Sequence, residues 1–281
     1  MSINEPLADL HCHSVASDGT LSPAAVVARA KHNGVDILAL TDHDTTAGLD
    51  EAYLAAAEND LRLIPGIELS STWQGKLLHI VGLDIDPEHA PLRHGIQLLK
   101  DMREQRAIEM GRRLAKVGLE NAYEQARELA GEGNVTRTHF ARHLINIGVA
   151  KDFTDVFKRF LVPGKPGYYR VDWAAMEEAV NWITGAGGIA VLAHPLRYKL
   201  TANWLNRVLV AFKESGGLGM EVVCGHNTPD DNARSALFAR KHNLMASQGS
   251  DFHEPGKWVE LGKLAKLPDG LEPVWQQWLD Q

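Results

Sequence analysis

The stretch LADLHCHSVASDG (residues 7–19) closes a short apolar run with a His-Cys-His triplet, and Asp18 follows five residues after the second histidine. Side chains on a strand alternate between its two faces, so His11 and His13 point to one side and Cys12 to the other. Two neutral imidazoles at one strand end can chelate a metal ion. A lone His-x-His is also common as a pair of exposed histidines, so the rest of the sequence decides between these interpretations.

Strands and helices alternate after this stretch. The segment SPAAVVARAKHNG predicts a helix, with Ser22 as N-cap, Pro23 at the first position and Gly34 just past the end. The polar segment STWQGK (71–76) suits a hairpin or a short excursion between two strands. The predicted strands of this first half are LADLHCHS, VDILALTDHD, LRLIPGIELS and LLHIVGLDI, with a second helix in LDEAYLAAAEN.

Strand patterns disappear between about residues 90 and 165, where helical segments follow one another up to the Pro/Gly-rich LVPGKPGYYR. The alternation then resumes with the strands IAVLAH, MEVVCG and LMASQGSDFH. About seven strands with mostly helical crossovers predict an α/β fold with a mainly parallel sheet. We expect a barrel domain of residues 1–88 and 166–281 and an all-helical insertion domain of residues 89–165.

Composition excludes several classes of protein. The hydrophobic fraction of 44% and the charged fraction of 23% are ordinary for a globular protein, and no apolar run reaches the roughly 18 residues that span a bilayer. The net charge of −7 disfavours a broad basic track for duplex DNA. The first residues lack the pattern of a secretory signal, and Cys12 and Cys224 form no disulfide framework, so we expect a cytoplasmic protein.

Histidines and carboxylates cluster at the carboxyl ends of the predicted strands, which converge on one face of an α/β barrel. Taken singly, a histidine in an apolar strand is often a core residue, and Asp42 or Asp44 is explained as a helix cap. Taken together, so many carboxylates without convergent arginine or lysine need cations. The candidate ligands are His11, His13, Asp18, His43, Glu68, His79, His194, Asp251 and His253.

The donor set also restricts the metal. Imidazoles and carboxylates without a thiolate suit Mn²⁺, Fe²⁺ or Zn²⁺ rather than a cysteine-based structural zinc site. The candidates are too many for one ion, and two ions about 3.5–4 Å apart can hold the attacking and leaving oxygens of a displacement at phosphorus. The sequence therefore predicts a centre of more than one divalent ion.

The ordered motifs HCHS, SDG, TDHDT, PGIELS, LLHIVG, AHP and GSDFH resemble those of the PHP (polymerase and histidinol phosphatase) family. This resemblance implies a distorted (β/α)7 barrel with a trinuclear centre. It implies one ion on His11, His13, Glu68 and Asp251, a second on Asp18, His43 and His253, and a third on His79 and His194 with Glu68 bridging. Some members have a histidine where this chain has Asp18. An oxygen donor there agrees with manganese or iron, and we expect Mn²⁺, with Fe²⁺ and Zn²⁺ as alternatives.

Length and the helical insertion make the chain similar to small stand-alone members of this family. Those act as 3′,5′-nucleotide bisphosphate phosphatases and as 5′-to-3′ exonucleases on short RNA. The resemblance thus implies a phosphoesterase that removes the 3′-phosphate of nucleoside 3′,5′-bisphosphates, with short single-stranded RNA 5′ ends as further substrates and no obligate protein partner. Asp18, His43 and His194 are the candidates for assisting the departing sugar oxygen.

Arginines in and after the insertion are candidates for binding phosphate. The apolar stripe of the long insertion helix continues onto Arg103 and Arg106, whose stems either cover the core or present guanidinium groups to a phosphate. Arg137 follows the predicted N-cap Thr136, so a cation lies beside a helix start that favours anions. Arg197 and the pair Tyr168–Tyr169 are further candidates for phosphate and base contacts, although tyrosines there are more often packing residues.

Two alternatives remain open from the sequence. Histidine-rich metal barrels also serve as histidinol-phosphate phosphatases and amidohydrolases, since a fold does not fix the chemistry. A metal-loaded accessory module without catalysis is the alternative of another class. Hydrolysis of a phosphate ester by the metal-replete protein excludes the latter, and a panel of substrates separates the former.

Overall fold

A computed structural model describes residues 6–256 and 259–279. Seven strands form one sheet in chain order: β1 (Ala8–Asp9), β2 (Ile37–Leu40), β3 (Arg62–Trp73), β4 (Lys76–Leu83), β5 (Ile189–Leu192), β6 (Gly219–Cys224) and β7 (Met245–Gly249). The sheet curls so that β1 meets β7, where the Leu10 amide donates to the Gln248 carbonyl at 3.0 Å and the Gln248 side chain donates to the Ala8 carbonyl. The predicted α/β class and seven-stranded barrel are confirmed.

Ten α-helices surround or extend this barrel among the described residues. They are α1 (Pro23–His32), α2 (Leu49–Glu58), α3 (Ala90–Ala115), α4 (Ala122–Ala130), α5 (Arg137–Asn146), α6 (Phe153–Val156), α7 (Met176–Gly185), α8 (Ala202–Glu214), α9 (Pro229–His242) and α10 (Gln276–Leu279). Helix α1 begins as its sequence predicts, since the Ser22 side chain accepts the Ala25 amide and Pro23 takes the first position. Strand β2 is buried throughout, as expected of a parallel strand covered on both faces.

Strands β3 and β4 form the predicted hairpin, and they extend through most of the segment that the sequence suggested as a connection. Their antiparallel register runs from Gly66 opposite Leu83 to Trp73 opposite Lys76, with Gln74 and Gly75 at the tip in left-handed conformation. The β4–β5 pair is also antiparallel. The remaining neighbours are parallel, so the sheet is mixed around β4.

The first strand is shorter than the sequence predicts, because regular pairing stops at Asp9. Beyond it the chain bridges to the opposite edge of the barrel, with Cys12 paired to Phe252. His11 and His13 therefore lie on extended backbone inside the closing seam, not on a regular strand. Their side chains still face one side, while the Cys12 thiol donates to the Ala39 carbonyl at 3.2 Å on the other.

Helices α3 to α6 lie between β4 and α7, and a turn of π-helix (157–161) follows α6. The first half of α3 packs on the barrel through Leu92, Ile96 and Leu99. Its second half joins a separate apolar cluster with α4 and α5, which includes Met110, Leu114 and Phe140. The division into domains stays a prediction, and its outer ranges include residues 1–5, 257–258 and 280–281, outside the described residues. Within the described ranges, every helix is too short or too polar to cross a membrane.

Candidate metal centre

All nine candidate ligands lie together at one mouth of the barrel. Each comes from the segment that follows a strand, except Glu68 and His79, which lie within β3 and β4. His11 and His13 follow β1, Asp18 lies in the next loop, His43 follows β2, Glu68 lies in β3, His194 follows β5, and Asp251 and His253 follow β7. The barrel thus brings donors from distant parts of the chain to one place, as parallel topology predicts.

Glu68 is the centre of the cluster and is fully buried. Its Oε1 lies 2.8 Å from Nδ1 of His79 and 3.1 Å from Nε2 of His194. Its Oε2 lies 2.6 Å from Nδ1 of His43. The Nε2 atoms of His11 and His13 are only 3.1 Å apart, and that of His11 lies 3.4 Å from Glu68 Oε1. One carboxylate therefore touches imidazoles from four different segments.

Asp18 and Asp251 are the outer carboxylates. Asp18 Oδ1 lies 3.3 Å from Nε2 of His253 and 4.0 Å from Nε2 of His43. Asp251 Oδ1 lies 3.3 Å from Nε2 of His13. Three groups of donors are close enough to share an ion: His13, Asp18, His43 and His253; His11, His13 and Glu68; and His43, Glu68 and His79. The assignment of donors to individual ions stays a prediction.

Burial and mutual charge determine the ionisation of the cluster. Burial opposes the charged carboxylates, but the neighbouring histidines hold the pKa of Asp18 and of Glu68 well below the usual range. Burial, with repulsion from His253 and His43, lowers the pKa of His13 to about 3. His253 is also buried, but Asp18 raises its pKa to about 9. The Asp18 and Glu68 carboxylates and the His13 imidazole are therefore in the forms that bind metal, whereas His253 must release its proton when an ion binds.

Four donor atoms at the centre are buried and find no hydrogen-bond partner among the described residues: Asp18 Oδ1, His43 Nδ1, Glu68 Oε2 and His194 Nδ1. His43 Nδ1 and Glu68 Oε2 are 2.6 Å apart yet lack the alignment of a hydrogen bond. Buried polar atoms in proteins are nearly always paired, so such a set needs another partner. Divalent cations fit it, because the donors are imidazole nitrogens and carboxylate oxygens and the nearby Cys12 thiol points away.

Three residues at the mouth have backbone angles that L-residues rarely adopt. Asp44, His194 and Asp251 have φ values of 51°, 28° and 56°. Non-glycine residues hold such angles at a cost and cluster at functional sites, where the surroundings fix them. Here the strain turns the chain sharply at the ends of β2, β5 and β7 and directs His194 and Asp251 into the cluster.

Two supporting carboxylates are absent from the set that the sequence indicated. Asp42 accepts from the Ser14 amide at 2.8 Å and from the Ser14 and Ser17 hydroxyls at 2.6 Å, so it fixes the loop that carries Asp18. Glu221, fully buried in β6, accepts from Nδ1 of His11 at 2.7 Å and from the His194 amide. The only available signal was an acidic residue in the apolar run MEVVCG, which by itself does not indicate a partner.

The arginines of the insertion reach the same mouth. A pocket of about 600 Å³ is lined by Arg103, Arg106 and Arg137 together with six of the nine candidate ligands. Arg103 is almost fully buried, pairs with Asp44 and donates to the Ser70 hydroxyl at 2.8 Å, so its charge is already engaged. Within the described ranges Arg106 and Arg137 have no carboxylate partner. Burial and the adjacent guanidinium groups lower the pKa of both.

The other predicted contacts divide between the pocket and its surroundings. Arg197 lines the pocket, but its guanidinium pairs with Asp251. Tyr168 borders a different groove on the insertion, and Tyr169 packs under Arg113, whose guanidinium carbon is 5.1 Å from the ring. Phe157 lines the pocket instead and carries Arg137 at 5.4 Å from its ring. Sequence alone did not single out Phe157, because a phenylalanine between helices has no distinctive pattern.

Comparison with known proteins places this geometry among related chains. The PHP domain family model matches residues 9–179. A 5′-3′ exoribonuclease of Haemophilus influenzae is 47% identical over 96% of this chain and 98% of its own length. A 3′,5′-nucleoside bisphosphate phosphatase of Chromobacterium violaceum is 43% identical over 96% of this chain and 95% of its own.

The fold has a solved counterpart. A crystal structure of an amidohydrolase from Chromobacterium violaceum, with bound sulfate and no metal, superposes with a TM-score of 0.93. It is 43% identical in sequence and covers 97% of this chain and 96% of that one. The similarity extends over barrel and helical segments alike, because coverage is nearly complete in both directions.

Proposed function

Because the chain belongs to the PHP domain family, we propose that it is a metal-dependent phosphoesterase that removes the 3′-phosphate of nucleoside 3′,5′-bisphosphates and degrades short RNA from its 5′ end. The names of two relatives support the two halves of this activity, and both are over 40% identical along nearly the whole chain. Small nucleotides and short RNA ends are then the partners of the site.

The nine donors of the cluster would hold two or three divalent ions, Mn²⁺ in our proposal, with Fe²⁺ and Zn²⁺ as alternatives. When bound, such ions activate water and offset the charge that develops on phosphate oxygens. Glu68 would contribute to more than one ion, because both of its oxygens face imidazoles. The four unpartnered buried atoms are the structural feature that supports this part of the proposal.

The residues of the chain would orient the substrate and move its protons. Asp18, His43 and His194 all line the pocket, and they are our candidates for assisting the departing sugar oxygen. Arg106 and Arg137 would hold the second phosphate with planar, charge-assisted hydrogen bonds, and Arg103 would support them from its pair with Asp44. Arg197 would contact the phosphate from the same pocket while it pairs with Asp251.

One observation carries the choice of a bisphosphate over a simple monoester. The pocket has two features that favour anions, the cluster and the pair Arg106–Arg137, and the two arginines repel each other without a carboxylate between them. A substrate with one phosphate satisfies only the cluster. A second phosphate relieves the repulsion between the guanidinium groups, so a bisphosphate gains binding free energy from both features.

Kinetics on two substrates test this arrangement. In manganese-loaded protein, Arg106→Ala or Arg137→Ala should raise KM for adenosine 3′,5′-bisphosphate by about tenfold or more and leave KM for an aryl phosphate nearly unchanged. Arg112→Ala is the matched control, because Arg112 lies on the same helix and pairs with Glu109 outside the pocket. Equal effects on both substrates, or a preference for histidinol phosphate, would contradict the proposal.

A further inference from the structure

Glu221 is a buried carboxylate that contacts two of the candidate ligands but does not line the pocket. Its Oε1 lies 2.7 Å from Nδ1 of His11. Its Oε2 accepts the backbone N–H of His194, and the Cys224 thiol approaches the same oxygen at 3.5 Å. Both oxygens are engaged, so Glu221 is not itself an open donor for a cation.

The sheet explains how one residue reaches both histidines. Glu221 lies in β6. On one side of β6 is β5, which His194 follows by two residues, and on the other side is β7, which borders the seam that contains His11. An irregularity in the β6–β7 register begins at Glu221. The segment that contains His11 packs closely against the end of β7, since a Cβ on Gly249 would fall 2.3 Å from Cβ of His11.

This contact determines which nitrogen of His11 faces the cluster. A carboxylate cannot donate, so the hydrogen bond requires a proton on Nδ1, and Nε2 is left to the cluster. That Nε2 lies 3.1 Å from Nε2 of His13 and 3.6 Å from Asp251 Oδ1. The same carboxylate holds the His194 amide, where the backbone has a φ of 28°.

We propose that Glu221 is a positioning residue that fixes the Nδ1–H form of His11 and the strained backbone of His194, and so preorganises the cluster for divalent cations. The inference rests on the proposed metal-dependent function. It concerns the binding of the ions, not the chemistry of the substrate. Carboxylates that accept from the second nitrogen of a metal-binding histidine typically change metal affinity by about 10- to 100-fold.

Glu221→Gln isolates this role, because glutamine keeps the size of the side chain but has one acceptor oxygen for two donors. Either the His11 Nδ1–H or the His194 N–H then faces the NH2 group of the glutamine and loses its hydrogen bond. If the NH2 group faces Nδ1 of His11, it favours the tautomer of His11 with the proton on Nε2. Manganese titration followed by calorimetry should give a dissociation constant about 10- to 100-fold weaker than that of the unaltered protein. KM for the bisphosphate at saturating manganese should stay unchanged, because Arg106 and Arg137 do not contact Glu221.

Glu260→Gln is the matched control. Glu260 is a partly buried carboxylate that pairs with Arg29 on the outer side of the barrel. It should keep the manganese affinity of the unaltered protein. Equal affinities for Glu221→Gln and Glu260→Gln overturn the inference, whereas an unaltered protein that binds no manganese overturns the proposed function as well.

A second measurement needs no variant at Glu221. NMR of protein labelled with ¹⁵N-histidine and loaded with diamagnetic Zn²⁺ should show that His11 has a proton on Nδ1 and an Nε2 resonance shifted by the metal. The His11 resonances are assigned as those that disappear in His11→Gln. His139 provides the opposite reference, because its Nδ1 accepts the Thr136 amide. A His11 ring bound to zinc through Nδ1 overturns the inference even where Glu221→Gln does not fold.

Discussion

At the scale of single residues, His139 illustrates a histidine whose role is structural. It is buried at the third position of α5, and its Nδ1 accepts the Thr136 amide at 3.1 Å, completing a capping box with Thr136. Burial lowers its pKa to about 4. The neutral ring is the form that can accept this hydrogen bond, so the cap depends on an unprotonated His139.

His139 should therefore make stability depend on pH between its folded and unfolded pKa values. Below about pH 6.5 the histidine of the unfolded chain binds a proton, whereas His139 of the folded protein binds one only near pH 4. The free energy of unfolding therefore falls as the pH drops from about 6.5 to about 4. The loss is on the order of 3 kcal/mol. In His139→Gln, which keeps a capping acceptor, urea unfolding at pH 4.5 and 7.5 should show a smaller difference than in the unaltered protein.

The exposed His32 on α1 provides the comparison for this prediction. His32→Gln should leave the dependence of stability on pH as it is, because His32 is exposed on a different helix and takes no part in the cap of α5. If His139→Gln and the unaltered protein lost equal stability on acidification, His139 would not be the group that makes stability depend on pH.

The residues of the site differ in how far sequence reveals them. His11, His13 and Asp251 lie in short motifs at strand ends, where topology makes their convergence predictable. Glu221 and Arg103 were either missed or predicted only as a phosphate contact. Their partners, His11 and Asp44, are 210 and 59 positions away in the chain. A buried ion pair becomes visible only when the fold brings both partners together.

At the scale of elements, helix α5 connects the insertion to the metal cluster. The hydroxyls of Thr136 and Thr138 donate to Asp18 Oδ2 at 3.1 and 3.0 Å. Arg142, one turn further on, donates to the Asp18 carbonyl at 2.9 Å. The N-terminal turn of α5 thus occupies one carboxylate oxygen and leaves Oδ1 to the cluster.

Loss of one of these donors should weaken metal binding without unfolding the helix. Thr138→Val keeps the shape of the side chain and removes its hydrogen bond to Asp18, a bond to a charged acceptor worth about 1.5–3 kcal/mol. We expect manganese affinity to fall by about tenfold or more. The cap itself should survive, because Thr136 remains in place.

Thr138→Ser is the conservative partner for this variant, since it retains the hydroxyl and should bind manganese normally. Calorimetric titration of both variants, with circular dichroism to check helix content, separates positioning of Asp18 from stability of α5. A normal affinity in Thr138→Val would show that Asp18 is held by other contacts.

The sequence predicted some elements of the fold correctly and one strand incorrectly. Capping residues and hydrophobic period gave α1, α2 and the β3–β4 hairpin, because those signals are local. The first strand was predicted too long, because His11 and His13 continue an extended pattern while their backbone pairs with the segment after β7 instead of β2. Closure of a barrel is a long-range event and has no local signature.

At the scale of the whole molecule, the cluster joins segments from residue 11 to residue 253 across the barrel mouth. Six histidine rings pack against one another there around Glu68, and a shared cation offsets the desolvation of these buried donors. Metal binding should consequently act on the stability of the barrel as a unit. Three of the candidate ligands, His11, His13 and Asp251, also lie at the seam between β1 and β7.

Removal of divalent ions should lower the melting temperature. Ions present at about 100 times their dissociation constant stabilise a folded protein by about 2.7 kcal/mol per site, which corresponds to a shift of roughly 5–10 °C at this chain length. Differential scanning calorimetry with manganese and with a chelator measures the difference.

Glu68→Gln should abolish most of this shift in melting temperature and remove both metal content and turnover, because Glu68 contacts four of the histidines. Glu260→Gln should keep the full shift. A Glu68→Gln protein with complete metal content and normal turnover would show that the assignment of the centre is wrong.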